Sequence, residues 1–240
     1  MPAQTASIRT DGNGELELVA AGYAGEAGAV LIARANRALL EGRFRRDLVE
    51  RMMLRARVFP PDGGVLQRTE TEGEDPQEDP AFGRAPFADL FCGLFRSAGA
   101  LEIFPALEGG ILAAVYLAAR EKKCGVRIME KRIPIRQDTV ELCELWRLNP
   151  YRLYSDCALL TAQSGERLAE RLRDAGIPAA RIGFFTGGLD KVIADKEETE
   201  YLNRPEPDEL YRVMTPEGAR TDTTIRKGRI RQQPDAPLSG

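Results

Sequence analysis

The chain has 240 residues, of which 43% are hydrophobic, enough to bury a core in one large domain or in a medium domain with tails. Lys and Arg number 34 against 37 Asp and Glu, giving a net charge of −3 with both signs mixed, so no global field draws in nucleic acid. Histidine is absent, which excludes a Ser-His-Asp triad and any His-based zinc site.

No segment reaches the roughly 18 to 20 continuous apolar residues needed to cross a bilayer. The polar start, residues 1–14, has no signal-peptide apolar run, so no membrane association and a cytoplasmic location are expected. Cys92, Cys124, Cys143 and Cys157 form no C-x-x-C pair and read as small buried apolar residues in a reducing compartment.

Alternation over Glu15 to Val19 predicts a short strand within an N-terminal extension, residues 1–21. Gly22, Gly25 and Gly28 lead into a helix to about Leu40, where they serve either close backbone packing or a phosphate cradle. A second amphipathic helix runs from Arg45 to Val58, with Leu48, Met52 and Ala56 on one face. Pro60-Pro61-Asp62-Gly63-Gly64 stops it and opens a polar connection of about 25 residues, a flexible insertion near 61–85 or a functional lid. Its Glu70 to Asp79 stretch carries six carboxylates and reads as solvated loop.

Phe87, Leu90, Phe91, Leu94 and Phe95 recur on one face of a helix that Gly99 ends, and Ala100 to Phe104 predicts a strand. After Glu108-Gly109-Gly110 a helix buries Ile111, Leu112, Val115, Tyr116 and Ala119. Gly125 turns into a strand to Met129, and a helix runs from about Arg136 to Trp146. Asn149-Pro150 ends it; Ala158 to Ala162 is a strand and Glu166 to Ala175 a surface helix. Ile182 to Phe185 and an edge strand, Leu189 to Ala194, complete the set. A tail over 215–240 carries Arg226, Lys227, Arg229 and Arg231 and reads as disordered rather than as a nucleic-acid contact. Strands alternating with helices predict an α+β fold, an α/β sandwich of layered sheet and helices.

The chemistry concentrates at Glu108-Gly109-Gly110. Free N–H groups and the positive end of a helix dipole attract anions, and glycines let a phosphate approach. The same residues also suit plain packing and capping. Arg136, Gln137 and Asp138 either reach that cleft or form an exposed first helical turn. Asp156 beside Cys157 raises rather than lowers a thiol pKa, and with no histidine to take the proton a nucleophilic Cys157 is not expected.

Glu108-Gly109-Gly110 with its apolar helix, the Gly125-Val126 strand, Ile133-Pro134-Ile135-Arg136-Gln137-Asp138-Thr139, Asn149-Pro150-Tyr151 and Ala158 to Ala162 resemble the C-terminal domain of the aminoimidazole ribonucleotide (AIR) synthase superfamily. The branch most similar is the AIR synthase-related proteins near the hydrogenase-maturation carbamoyl dehydratase. Ala175 to Gly183 is similar to that domain's closing helix and strand, and Asp208-Glu209-Leu210-Tyr211 to a short motif near the family's end. The resemblance spans residues 22–214.

It implies a layered sheet with helices packed on it, and a family N-terminal domain, holding magnesium and ATP, for which residues 1–19 are too short. It also implies departures. Phe104-Pro105-Ala106-Leu107 replaces a polar His-Asp-Pro-Thr-like run, Ser155-Asp156-Cys157 stands where relatives favour Ser-Ser-Gly, and Pro237-Leu238-Ser239-Gly240 lacks the dehydratase's C-terminal cysteine. Together these features imply a stand-alone, non-catalytic domain that binds a small anion, a phosphate or a partner. The candidate ligand residues are Glu108, Gly109, Gly110, Arg136, Gln137 and Asp156, with no catalytic residue, no metal ligand and no cofactor. Two alternatives stay open: half of a two-subunit enzyme completed by a separate ATP-binding subunit, and a homo-oligomeric regulatory or scaffold protein.

Overall fold

The computed structural model describes residues 15–54, 87–195 and 198–214. The expected insertion near 61–85 and the tail over 215–240 lie outside the described residues. Strands β1 (Glu17–Ala21), β2 (Glu102–Ala106), β3 (Gly125–Ile128), β4 (Cys157–Ala162), β5 (Ala179–Thr186), β6 (Lys191–Asp195) and β7 (Glu198–Tyr201) form one sheet. Their spatial order is β2-β4-β1-β5-β3-β6-β7. Every pairing is antiparallel except β3 with β6, which run parallel.

The strand expected as part of an N-terminal extension lies in the middle of this sheet. β1 pairs with β4 on one side, Val19 opposite Leu160, and with β5 on the other, Ala20 opposite Ala180. Its side chains alternate between faces, and both faces are covered, so Leu18 to Ala21 are all buried.

Helix α6 (Gly110–Glu121) packs on one face, where Ile111, Val115 and Ala119 meet Leu18, Leu159, Val126 and Ile128. Short helices α4 (Phe87–Leu90) and α5 (Cys92–Ala98), with α8 (Gly165–Asp174), cover the other face against Val19, Ala158 and Leu160. The Phe87, Phe91 and Phe95 rings cluster there, with centroids 4.8 to 6.2 Å apart, as their spacing predicts. The remaining helices, α1 (Glu26–Ala35), α2 (Arg37–Glu41), α3 (Arg46–Leu54) and α7 (Gln137–Trp146), share a third apolar cluster built on Ile32, Leu40, Leu142 and Trp146. The expected α+β sandwich is the architecture found.

Three local readings differ. The single helix expected to run up to Gly99 breaks at Phe91 into α4 and α5, and Leu90, expected on the face shared with the phenylalanines, is 54% exposed. The single helix expected to Leu40 breaks at Asn36, whose buried amide donates back to the Ile32 carbonyl at 3.0 Å and competes with the helical ladder. The segment expected as an edge strand is β6, interior between β3 and β7; the edge belongs to β7, whose Glu198, Thr199, Glu200 and Tyr201 are all exposed.

Antiparallel order brings the C-terminal ends of β1 and β2 beside the N-terminal ends of β4 and β5. At this end of the sheet the glycine-bearing turns before α1 and α6 meet the strap over 150–156 that leads into β4.

Candidate functional site

The strap holds both helix starts. Gly25, with φ +68°, begins α1 and donates its N–H to the Ser155 hydroxyl at 2.8 Å, while Gly28 donates to the Tyr154 carbonyl at 2.8 Å. Ser155 Oγ donates in turn to the Leu153 carbonyl at 2.9 Å, and its N–H reaches the Leu107 carbonyl at 3.2 Å. Leu112, in the first turn of α6, donates to the Tyr151 carbonyl at 3.3 Å. Backbone of the strap thus lies against both helices, and a Cβ on Gly110 would stand 2.3 Å from Tyr151 O.

The start of α6 carries an anion from within the chain. Asp208 is buried, and its Oδ2 accepts the Gly109 N–H at 2.6 Å. Its Oδ1 accepts from Tyr154 at 2.9 Å and from Leu210 at 2.8 Å. Burial pushes this carboxyl above the usual carboxylate range, opposed by those three N–H donors; nearby Glu108 pushes it further up. Gly110 donates to the Leu107 carbonyl at 3.0 Å.

The other candidates also have internal partners. Arg136 pairs with Glu26 at 2.5 Å, and its guanidinium stacks 4.0 Å from the centroid of the Tyr23 ring. Gln137 is exposed and donates to Glu141 one turn on at 3.2 Å. Asp156 accepts the Phe87 N–H at 2.8 Å and so caps the first turn of α4. Glu108 is exposed beside Tyr211, whose phenol is raised by burial first and then by its pairing with Glu108.

All six residues therefore come to one end of the sheet, but as separate clusters on either side of the strap. Glu108 and Gly109 stand with Asp208, Arg136 and Gln137 beside the start of α1, and Asp156 under α4.

A cleft of about 630 Å³ opens beside Glu108 and Gly109. One wall is the outward stripe of α6, Ala113, Tyr116, Leu117 and Arg120, at helical spacing; the other is Arg204, Pro205 and Glu206. Glu206 is paired with Arg152 at 3.0 Å, and Lys191 Nζ stands 5.3 Å from the centroid of the Tyr116 ring.

Asp208, Glu26, Tyr23 and Ser155 were given no role from sequence. Pro207-Asp208-Glu209 carries a local signal, an Asp positioned to cap the turn after it, and Asp208 does cap the 3₁₀ turn Glu209–Arg212. Its bond to Gly109 spans 99 residues and leaves no local trace.

Among the described residues no group of three or more His, Cys, Asp or Glu could hold a metal ion, and no described helix is long and apolar enough to cross a membrane. Burial pushes the Cys157 thiol up to about 12, with Asp156 adding to it, and burial likewise carries Cys143 to about 12. Cys92 is exposed and Cys124 half-buried. Folded protein is therefore expected to react with a thiol reagent such as 5,5′-dithiobis(2-nitrobenzoate) at Cys92 and, more slowly, at Cys124, with Cys143 and Cys157 reacting only in denaturant. Mass mapping of the labelled peptides checks this; prompt labelling of Cys157 in folded protein would contradict it.

No protein-family model matches the chain, and no curated protein matches it. Among solved structures the chain is similar to E. coli HypE, a hydrogenase maturation protein, with TM-score 0.53, 17% identity, and coverage of 88% of this chain and 55% of that one. A second E. coli HypE structure gives TM-score 0.53 at 19% identity, covering 83% and 52%. HypE in a HypE–HypF complex gives 0.51 at 15%, covering 80% and 53%. At these identities the likeness is one of fold. The chain thus shares the fold of these HypE structures and spans about half their length.

Proposed function

We propose that this chain is a binding module of the AIR synthase-related type, corresponding to the family's C-terminal domain and without catalysis of its own. The observation that carries this reading is the Asp208 carboxylate on the Gly109 N–H at 2.6 Å. An open helix start is where a phosphate would bind. Here the first donor already meets a protein carboxylate held by two further N–H groups, so the helix start acts as a structural lock. Arg136, Gln137 and Asp156 have internal partners as well, which supports a packing role for them over a catalytic one.

Incubating the purified protein with ATP and magnesium tests the reading. No hydrolysis above background is expected; turnover that disappears in Glu108→Ala would overturn it.

A second reading takes its support from HypE having been solved in a HypE–HypF complex: half of a two-subunit enzyme completed by a separate ATP-binding protein. Capture of the chain from its native cells discriminates the two. Co-purification of a superfamily protein supports the second reading, and its absence counts against it.

A further inference from the structure

Any ligand of this module needs a site other than the start of α6, which Asp208 fills. The cleft beside it is the place where charge and shape remain unsatisfied. Two acidic residues line it: Glu206, paired with Arg152 at 3.0 Å, and the exposed Glu108, which has no cationic partner among the described residues. Two guanidiniums line it as well, Arg120 near the end of α6 and Arg204 on the opposite wall. Among the described residues neither has an ion pair or a side-chain hydrogen bond.

The charged lining residues with their ion-pair partner, Arg120, Arg204 and Arg152 against Glu108 and Glu206, carry one net positive charge. An arginine fork fits the paired oxygens of a carboxylate or phosphate.

The rest of the lining is apolar. Ala113, Tyr116 and Leu117 line the α6 wall and Pro205 the opposite one, and Leu117 is 41% exposed on a helix whose opposite face is fully buried. One exposed leucine needs no explanation. A leucine, a tyrosine ring and a proline converging on one concavity of about 630 Å³ with two unpaired arginines do, and the volume is that of a small-molecule site.

We propose that the cleft between α6 and Arg204 to Glu206 binds a small organic anion, an apolar or planar body bearing a phosphate or carboxylate. Arg120 and Arg204 take the anionic oxygens, and Tyr116, Leu117 and Pro205 take the body. The inference rests on the binding-module reading and adds to it a ligand class and a place.

The test is calorimetric titration of the full chain with three probes: phenyl phosphate, benzoate and inorganic phosphate. Saturable binding of phenyl phosphate or benzoate is expected, and whichever is tighter identifies the anionic group. Arg120→Ala and Arg204→Ala are each expected to weaken it at least about tenfold, the loss of one charge-assisted contact. Both residues are exposed, so circular dichroism is expected to be unchanged. Arg167→Ala, which removes an exposed guanidinium on α8 at the other face of the sheet, is expected to leave the affinity unchanged.

Absence of saturable binding for both organic probes would overturn the proposal. So would affinity that is unchanged in both arginine variants, or inorganic phosphate binding as tightly as phenyl phosphate. None of these outcomes touches the ATP assay: hydrolysis there removes the non-catalytic reading, whereas failure here removes only this ligand and its site.

Discussion

Asp208→Ala is expected to destabilise the fold by about 3 to 5 kcal/mol. The carboxylate accepts from Gly109, Tyr154 and Leu210, and truncation leaves three buried N–H donors without an acceptor. Each such donor costs about 1 to 3 kcal/mol, and a water entering the vacated space recovers part of the sum. For a chain of this size the loss corresponds to roughly 6 to 20 °C in Tm. Asp208→Asn keeps the shape but turns an amide N–H₂ toward one of the donors, so an intermediate loss of about 2 kcal/mol is expected.

Thermal and urea unfolding of the three proteins checks the order. A further result separates this lock from ordinary packing. With the carboxylate gone, the start of α6 offers its N–H to solvent ions, so phosphate is expected to raise the Tm of Asp208→Ala more than that of the parent. Equal shifts in both proteins would show that the helix start does not take an anion even when the carboxylate is removed.

The contrast between Asp208 and the residues around it shows what could be read from sequence. Helices were legible where one face is buried and the other wet: Leu168 and Leu172 mark α8, and Ile111, Leu112 and Val115 mark α6. Central strands such as Cys157–Ala162 were legible as short apolar runs. β7 was not, because Glu198-Thr199-Glu200-Tyr201 is exposed on both faces and shows no alternation; pairing with β6 makes it a strand.

The candidate site divides in the same way. Gly109 and Gly110 were legible as a helix start because a glycine pair before an apolar helical run has a local meaning. Their chemical state was not, because it depends on Asp208, Tyr151 and Leu153, which arrive from other parts of the chain. Arg136 likewise looked free in its own segment and is paired with Glu26 from α1. Arg120 and Arg204 passed unnoticed for the opposite reason: each is an ordinary exposed arginine, and only the fold sets them on one cleft.

Gly110→Ala tests the close approach of the strap to α6, and a loss of about 2 to 5 kcal/mol is expected. Two costs combine. The residue sits at φ +66°, where an L side chain costs about 1 to 2 kcal/mol. Its Cβ would also stand 2.3 Å from Tyr151 O and 2.9 Å from Leu153 O, both backbone atoms that no rotamer change can move. Forcing the strap away strains the Leu112 to Tyr151 bond and adds about 1 to 3 kcal/mol, as overpacking does elsewhere. Gly176 supplies the control, since its φ is +81° but nothing lies within 4 Å of a Cβ built there. Gly176→Ala is therefore expected to lose only the conformational part, about 1 to 2 kcal/mol. Urea unfolding of both variants measures the difference. If the two losses are equal, the strap over 150–156 yields freely, and the start of α6 is not fixed by the backbone that crosses it.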